Sequence, residues 1–201
     1  LAISLGLQGL TADFLAHDLA RNEPGSRVLL HGISGGVGQI LTQMLVADQI
    51  HVDGVASTGA KRQVALQRGA RQVFSRDELG NAVLNGQYDT VFDGVGTTLT
   101  RSLELVKHRG KVVFYGMAGG RPTPVDPVRL LEVSKSILTG DLWDYLPDQI
   151  SRQFRFERVL QYVLAGQLQL AEPTVFALAD GRRAHEYLEN GQSMGKIVLK
   201  P

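Results

Sequence analysis

The 201-residue sequence predicts an α/β protein: a doubly wound, six-stranded parallel sheet followed by a C-terminal helix–strand return segment. Three observations carry this prediction. Short β-rich runs alternate with helix-spaced runs six times, and a parallel strand can reach its partner only through a crossover, which is right-handed. Glycine accounts for 23 of the 201 residues, above the usual ~7%, and it gathers at strand-to-helix turns rather than in a repeat. The charge is balanced, 21 Lys+Arg against 20 Asp+Glu, and there is no cysteine.

Each element has a local reason. Residues 1–20 carry the apolar spacing of a helix, and the turn cluster Asn22-Glu23-Pro24-Gly25-Ser26 leads into a β-rich run at 27–31. Ile40, Met44, Leu45 and Ala47 give 39–47 a helical face. A strand at 51–57 is followed by a helix at 60–68 that Gly69 stops, and by a short strand at 72–74. The alternation continues with a helix at 77–84, strand 88–93, helix 98–107, strand 111–116, helix 127–133 and strand 135–139. A longer helix at 147–165 carries Ile150, Phe154, Val159, Leu160 and Val163. The helix at 180–190 and the strand at 196–199 fall outside the six-strand pattern, so the chain divides into a sheet domain, 1–165, and a tail, 166–201.

Composition excludes several classes. A disulfide scaffold and a cysteine-ligated zinc site both need cysteines. Scattered Lys and Arg at a net charge of +1 build no field for nucleic acid or anionic membranes. No apolar run approaches the ~18–20 residues that span a bilayer. These features predict a soluble cytoplasmic protein.

The densest glycine cluster, Gly32-Ile33-Ser34-Gly35-Gly36-Val37-Gly38, falls between the first strand and the first crossover helix. A phosphate reaching a helix N-terminus meets unpaired N–H groups and the positive end of the helix dipole, provided no Cβ blocks it. Gly35 and Gly36 give that clearance and Gly38 lets the helix pack on the sheet. A tight turn without a ligand is the bland alternative, which the position in a βαβ unit disfavours.

The tip of the second strand distinguishes the dinucleotides, because an acid there accepts the ribose hydroxyls of NAD and repels a 2′-phosphate. The strand ends Val55-Ala56-Ser57-Thr58-Gly59-Ala60-Lys61-Arg62, without an acid. Asp53 falls mid-strand, closer to the loop than the usual ~20 residues. Ser57, Thr58 and Lys61 are therefore the candidates for a 2′-phosphate, with Arg62 in reserve and Arg76 able to reach the same edge. A solvated surface cation is the alternative for each, though a lysine is disfavoured at a helix N-terminus unless something anionic is there. Two more glycine turns, Asp93-Gly94-Val95-Gly96 and Gly116-Met117-Ala118-Gly119-Gly120, end the fourth and fifth strands. The three turns line the sheet edge where open parallel sheets bind ligands. Asp93 itself reads as a local cap rather than an acid catalyst.

With these residues, the chain resembles the medium-chain dehydrogenase/reductase superfamily, and within it the quinone oxidoreductase (zeta-crystallin-like) branch. The segments in common, in the family's order, are Gly6-Leu7-Gln8-Gly9-Leu10-Thr11-Ala12, Pro24-Gly25, Gly35-Gly36-Val37-Gly38, Asp93-Gly94-Val95-Gly96, Arg109-Gly110-Lys111, Phe114-Tyr115-Gly116, 183–189 and Gly195-Lys196. The resemblance implies a Rossmann domain of a two-domain, NADPH-dependent reductase whose amino-terminal GroES-like catalytic domain lies outside this chain. The 166–201 tail would pack with that domain. It further implies that Lys61 binds the 2′-phosphate, flanked by Ser57 and Thr58, that Arg76 stands where relatives often carry a tyrosine, and that Gly116, Met117 and Ala118 lie beneath the nicotinamide. Leu142 and Trp143 would lie near its carboxamide. The sixth strand, 135–139, is the implied homodimer edge. Leu5 stands where zinc-dependent members place a cysteine, and leucine cannot bind zinc, so no metal is expected.

The implied reaction moves hydride from NADPH to a quinone or enone, with a proton following. None of the five histidines has a paired acid in sequence and Tyr115 fits a strand core, so no residue is assigned as proton donor. Two alternatives stand beside this reading: an enoyl-reductase domain of a polyketide synthase, and a non-catalytic dinucleotide-binding module. Without a second domain the nicotinamide face is open to water, which predicts weak NADPH binding and little turnover by this chain alone.

Overall fold

The computed structural model describes residues 2–201. Six strands form one parallel sheet in the order β3-β2-β1-β4-β5-β6. They are β1 (Arg27–His31), β2 (His51–Val55), β3 (Gln72–Phe74), β4 (Tyr88–Asp93), β5 (Val106–Phe114) and β6 (Ser136–Thr139). The order reverses between β1 and β4, which opens a crevice at their C-terminal ends.

The crossovers are α2 (Gly36–Ala47), α3 (Gly59–Gln67), the short α4 (Arg76–Leu79), α5 (Leu99–Leu105) and α6 (Pro127–Glu132). Helix α1 (Ala2–Phe14) runs on into a π-helical turn, Leu15–Ala20, and packs with α7 (Gln149–Leu164) and α2 on one face of the sheet. The strands show why both faces are covered. Val28 and Leu30 point into the core shared with Leu41 and Met44 of α2, while Leu29 between them points to the opposite core with Val91, Leu105 and Val112. Burying each such side chain fully contributes about 1.5–3 kcal/mol.

Several boundaries differ from the sequence reading: the strand expected at 51–57 ends at Val55, and the one expected at 111–116 is Val106–Phe114. The expected helix at 77–84 is two pieces, α4 and a 3-10 turn at Ala82–Leu84, because Gly80 ends the first and Asn81 caps the second through a hydrogen bond from Val83 N. The helix expected over 98–107 ends at Leu105, since Val106 already pairs with Tyr88 in the sheet. The C-terminal segment is more than a helix and a strand: β7 (Thr174–Ala177), α8 (Gly181–Glu189) and β8 (Ile197–Lys200) make a separate two-stranded parallel sheet. This tail is anchored to the sheet domain at Gln169, whose N–H donates to Gln43 Oε1 at 2.9 Å, and at the buried Leu168.

A buried ion cluster joins α1 to α7. Asp13 is fully buried and accepts from Arg155 at 2.6 Å and from Arg158 at 2.6 and 2.7 Å, and Arg155 also reaches Asp18.

Candidate functional site

The site begins at the first strand-to-helix turn. Gly35 is extended and its N–H donates to Gly32 O at 2.9 Å, so the loop folds back before α2 starts at Gly36. A Cβ on Gly38 would lie 2.5 Å from Gly32 O and 2.7 Å from Ile33 O, so α2 can approach β1 this closely only with glycine there. Gly36 has a further role: a Cβ there would collide with the amide of Gln8 on α1. The clearance expected there for a phosphate is taken up by this neighbouring side chain.

Beside this turn is a cleft of about 310 Å³ at the C-terminal ends of β1, β2 and β4. Ser34, Ser57, Lys61, Arg76 and Val95 all line it. Thr58 acts as the N-cap of α3, its Oγ1 accepting from Lys61 N at 3.3 Å, and so holds the turn that carries Lys61. Arg76 opens α4 just after a capping box in which Ser75 N donates to Glu78 Oε2 at 2.6 Å and Glu78 N donates to Ser75 Oγ at 3.1 Å. That bond holds the Glu78 carboxyl below the usual range. Lys61 Nζ donates to the carbonyl of Gly191 in the tail. Asp53 lies mid-strand and is spent on Arg27, at 2.7 and 3.0 Å, and on the Tyr88 hydroxyl at 3.1 Å.

Sequence reasoning missed His31, Thr98 and Arg101, which line the same cleft. Arg101 sits in the first turn of α5, where a cation opposes the helix dipole. That signal singled out Lys61 and applied equally here. With Arg101, three cations and no carboxylate line the cleft. Arg101 is already engaged, its Nε donating to Leu79 O at 2.9 Å, its Nη2 to Asn81 O at 3.0 Å and its Nη1 to the carboxylate of Glu104 at 2.6 Å, so it braces the wall more than it offers a free charge.

The second glycine turn is built around Asp93, which acts as the local cap that its sequence position implied. Its carboxylate accepts from Val95 N at 2.9 Å, Gly96 N at 3.1 Å, Thr98 Oγ1 at 2.8 Å and Ser102 Oγ at 2.7 Å. Burial alone would raise its pKa; His31 and these donors outweigh burial and hold it low. The third turn is tied to the second, Ala118 N donating to Gly94 O at 3.1 Å and Gly119 N to Val95 O at 2.8 Å.

Beyond that junction lies a second, wider and mostly apolar hollow of about 720 Å³, lined by Gly116, Met117, Leu142 and Trp143 together with Thr11 and Tyr115, with Asp141 and Asp144 as its carboxylates. Of the predicted residues, Ser34, Ser57, Lys61, Arg76 and Val95 line the cationic cleft and Gly116, Met117, Leu142 and Trp143 the wider hollow, while Gly35, Gly36, Val37, Gly38, Thr58, Gly94 and Ala118 line neither.

These features are those of a known group. The family described as zinc-binding dehydrogenase matches residues 59–199, seven-tenths of the chain.

The chain belongs to that family.

Within the family it is similar to a probable quinone oxidoreductase of Schizosaccharomyces pombe, 33% identical over 96% of this chain and 60% of the relative. It is also similar to a 2-haloacrylate reductase of a Burkholderia species, 31% identical over 98% of this chain and 62% of the relative. Mycobacterial Rv1454c, solved as its NADPH complex, superposes with a TM-score of 0.92 at 30% identity, over 98% of this chain and 63% of that one. The chain thus spans 60–63% of these relatives' lengths.

The family's description speaks of zinc, and the residues here do not fit it. Among the described residues no three His, Cys, Asp or Glu side chains converge on one point, and Leu5 is fully buried in the core. A dinucleotide phosphate fits better: the close-packed glycine turn and an all-cationic set of charges are what it requires.

Proposed function

We propose that the chain is the NADPH-binding part of a zinc-independent oxidoreductase that reduces quinones or enones. The observation that carries this reading is the pairing of a glycine turn at the head of α2 with Lys61, Arg76 and Arg101 around one cleft and no carboxylate among its lining. An acid at the end of β2 would repel a 2′-phosphate, and Ser57 and Thr58 stand there instead. Ser34, Gly35, Gly36, Val37 and Gly38 bind the pyrophosphate, Ser57, Thr58, Lys61 and Arg76 the 2′-phosphate end. Gly94, Val95, Gly116, Met117, Ala118, Leu142 and Trp143 hold the nicotinamide half.

NADPH, when bound, supplies the hydride. The chain's own part is to orient the ring above the Gly116–Ala118 turn, beside the apolar hollow, where a planar acceptor meets Met117 and Trp143. The tail, 166–201, would pack with the catalytic domain.

The same reading includes a homodimer formed along β6. That strand is the sheet's edge, and Val128 and Leu131 of the neighbouring α6 are exposed large apolar side chains. An exposed edge flanked by apolar surface favours pairing with a second copy.

The test is an assay of the full-length protein that carries this chain, following loss of NADPH absorbance with a quinone acceptor. Faster oxidation of NADPH than of NADH supports the proposal. Equal rates with both, or no oxidation by any quinone or enone, count against it.

A further inference from the structure

A buried relay underlies the cationic cleft. Ser102 Oγ lies 2.7 Å from Asp93 Oδ2 and 3.1 Å from Thr98 O, and His31 Nε2 lies 3.0 Å from the same Ser102 oxygen. A carboxylate and a carbonyl only accept hydrogen bonds. The single Ser102 proton is therefore committed to one of them, and toward His31 the serine oxygen can only accept. His31 must donate from Nε2. Burial favours the neutral ring, outweighing the attraction of Asp93, and a neutral imidazole protonated on Nε2 carries a lone pair on Nδ1.

His31 ends β1, immediately before the glycine turn, and is a buried residue in the lining of the cleft with Ser34, Lys61 and Arg76. The three cations there only donate. They match phosphate oxygens and offer nothing to a hydroxyl proton. A dinucleotide brings both kinds of group, phosphates that accept and ribose hydroxyls that donate. A phosphate oxygen at neutral pH has no proton to give a bare nitrogen, so the group that matches His31 is a hydroxyl.

We infer that His31 is a cofactor-binding residue whose Nδ1 accepts a hydrogen bond from a ribose hydroxyl of the bound dinucleotide. Ser102 and Asp93 are positioning residues that fix the ring's tautomer and plane. The inference rests on the cleft being a dinucleotide site. It adds a contact common to NADPH and NADH, distinct from the phosphate contact that separates them.

The experiment is nitrogen NMR of ¹⁵N-histidine-labelled protein, with His31→Gln used to assign the His31 signals, before and after saturation with NADP⁺ or NAD⁺. The expected spectrum has the proton on Nε2 and a bare Nδ1, and the Nδ1 resonance moves with either cofactor. Ser102→Ala should mix the tautomers and weaken NADPH and NADH binding by the same factor, about 3- to 10-fold, as one neutral hydrogen bond would. A proton on Nδ1 in the free protein overturns the inference. So does an Nδ1 signal that stays still while calorimetry shows NADP⁺ bound. If calorimetry shows no NADP⁺ binding, the function proposed above fails and this inference falls with it.

Discussion

The ammonium of Lys61, in the first turn of α3, donates to the backbone carbonyl of Gly191, 130 residues along the chain in the turn between α8 and β8. The cation proposed for the 2′-phosphate is thus also a contact of the C-terminal tail. A phosphate would draw Lys61 away, because a charge-assisted bond to an anion is stronger than one to a neutral carbonyl. Binding of NADPH should therefore loosen the Gly191 turn. Hydrogen–deuterium exchange across residues 188–195 is expected to rise with NADPH and to change little with NADH at equal saturation. Unchanged exchange with NADPH would show that Lys61 keeps its tail contact.

Asp13 is the keystone of the α1–α7 contact. Replacing it with alanine strands Arg155, which is itself buried, with only the partly exposed Asp18 as partner. Breaking a buried pair by removing one side costs about 3–5 kcal/mol, and the surviving Asp18 contact places the expectation at the lower end. Urea unfolding of Asp13→Ala should show that loss. A change below about 1 kcal/mol would mean that the cluster behaves as a surface ion pair.

Stability should depend on pH through two histidines, the buried His31 and the half-buried His17. Burial lowers the pKa of both His31 and His17 from the ordinary 6.5. Each native ring resists a proton that the unfolded chain accepts, so their contribution is complete above pH ~6.5 and is lost as pH falls through the folded values. Asp93, held low, adds a second loss in more acidic solution, below the ordinary carboxylate value of 3.8. Urea midpoints should be flat from pH 7 to 8 and fall from pH 6.5 to 5, with a shallower fall in His31→Gln. A midpoint that rises on acidification would contradict the sign.

Trp143 is the only tryptophan in the chain, and it stands exposed at the rim of the apolar hollow. Its fluorescence reports on that place alone. If the nicotinamide docks beside Met117, NADPH should quench Trp143 saturably, through energy transfer to the reduced ring. Quenching that is absent at saturating NADPH would put the nicotinamide elsewhere.

Much of this was legible in the sequence, for reasons specific residues make plain. Val28, Leu29 and Leu30 are all apolar because β1 is covered on both faces, and the glycine turn after them marks the crevice. Lys61 stood out as a cation at a helix N-terminus. His31 did not, because its partners Ser102 and Asp93 are distant in sequence and meet it only once β1 and β4 are paired. β7 was missed because Thr174–Ala177 is only four residues long and follows Pro173, and it becomes a strand only by pairing with β8 across the intervening helix. The tail's contact with Lys61 has no local signature at all.

The central claim, that this cleft selects NADPH through Lys61, is tested most directly by calorimetric titration of the wild type and Lys61→Ala with NADPH and with NADH. A charge-assisted phosphate contact contributes about 1.5–3 kcal/mol. NADPH affinity should fall by about 10- to 100-fold in the variant while NADH affinity barely changes. Equal losses for the two cofactors, or no loss for NADPH, would contradict the account.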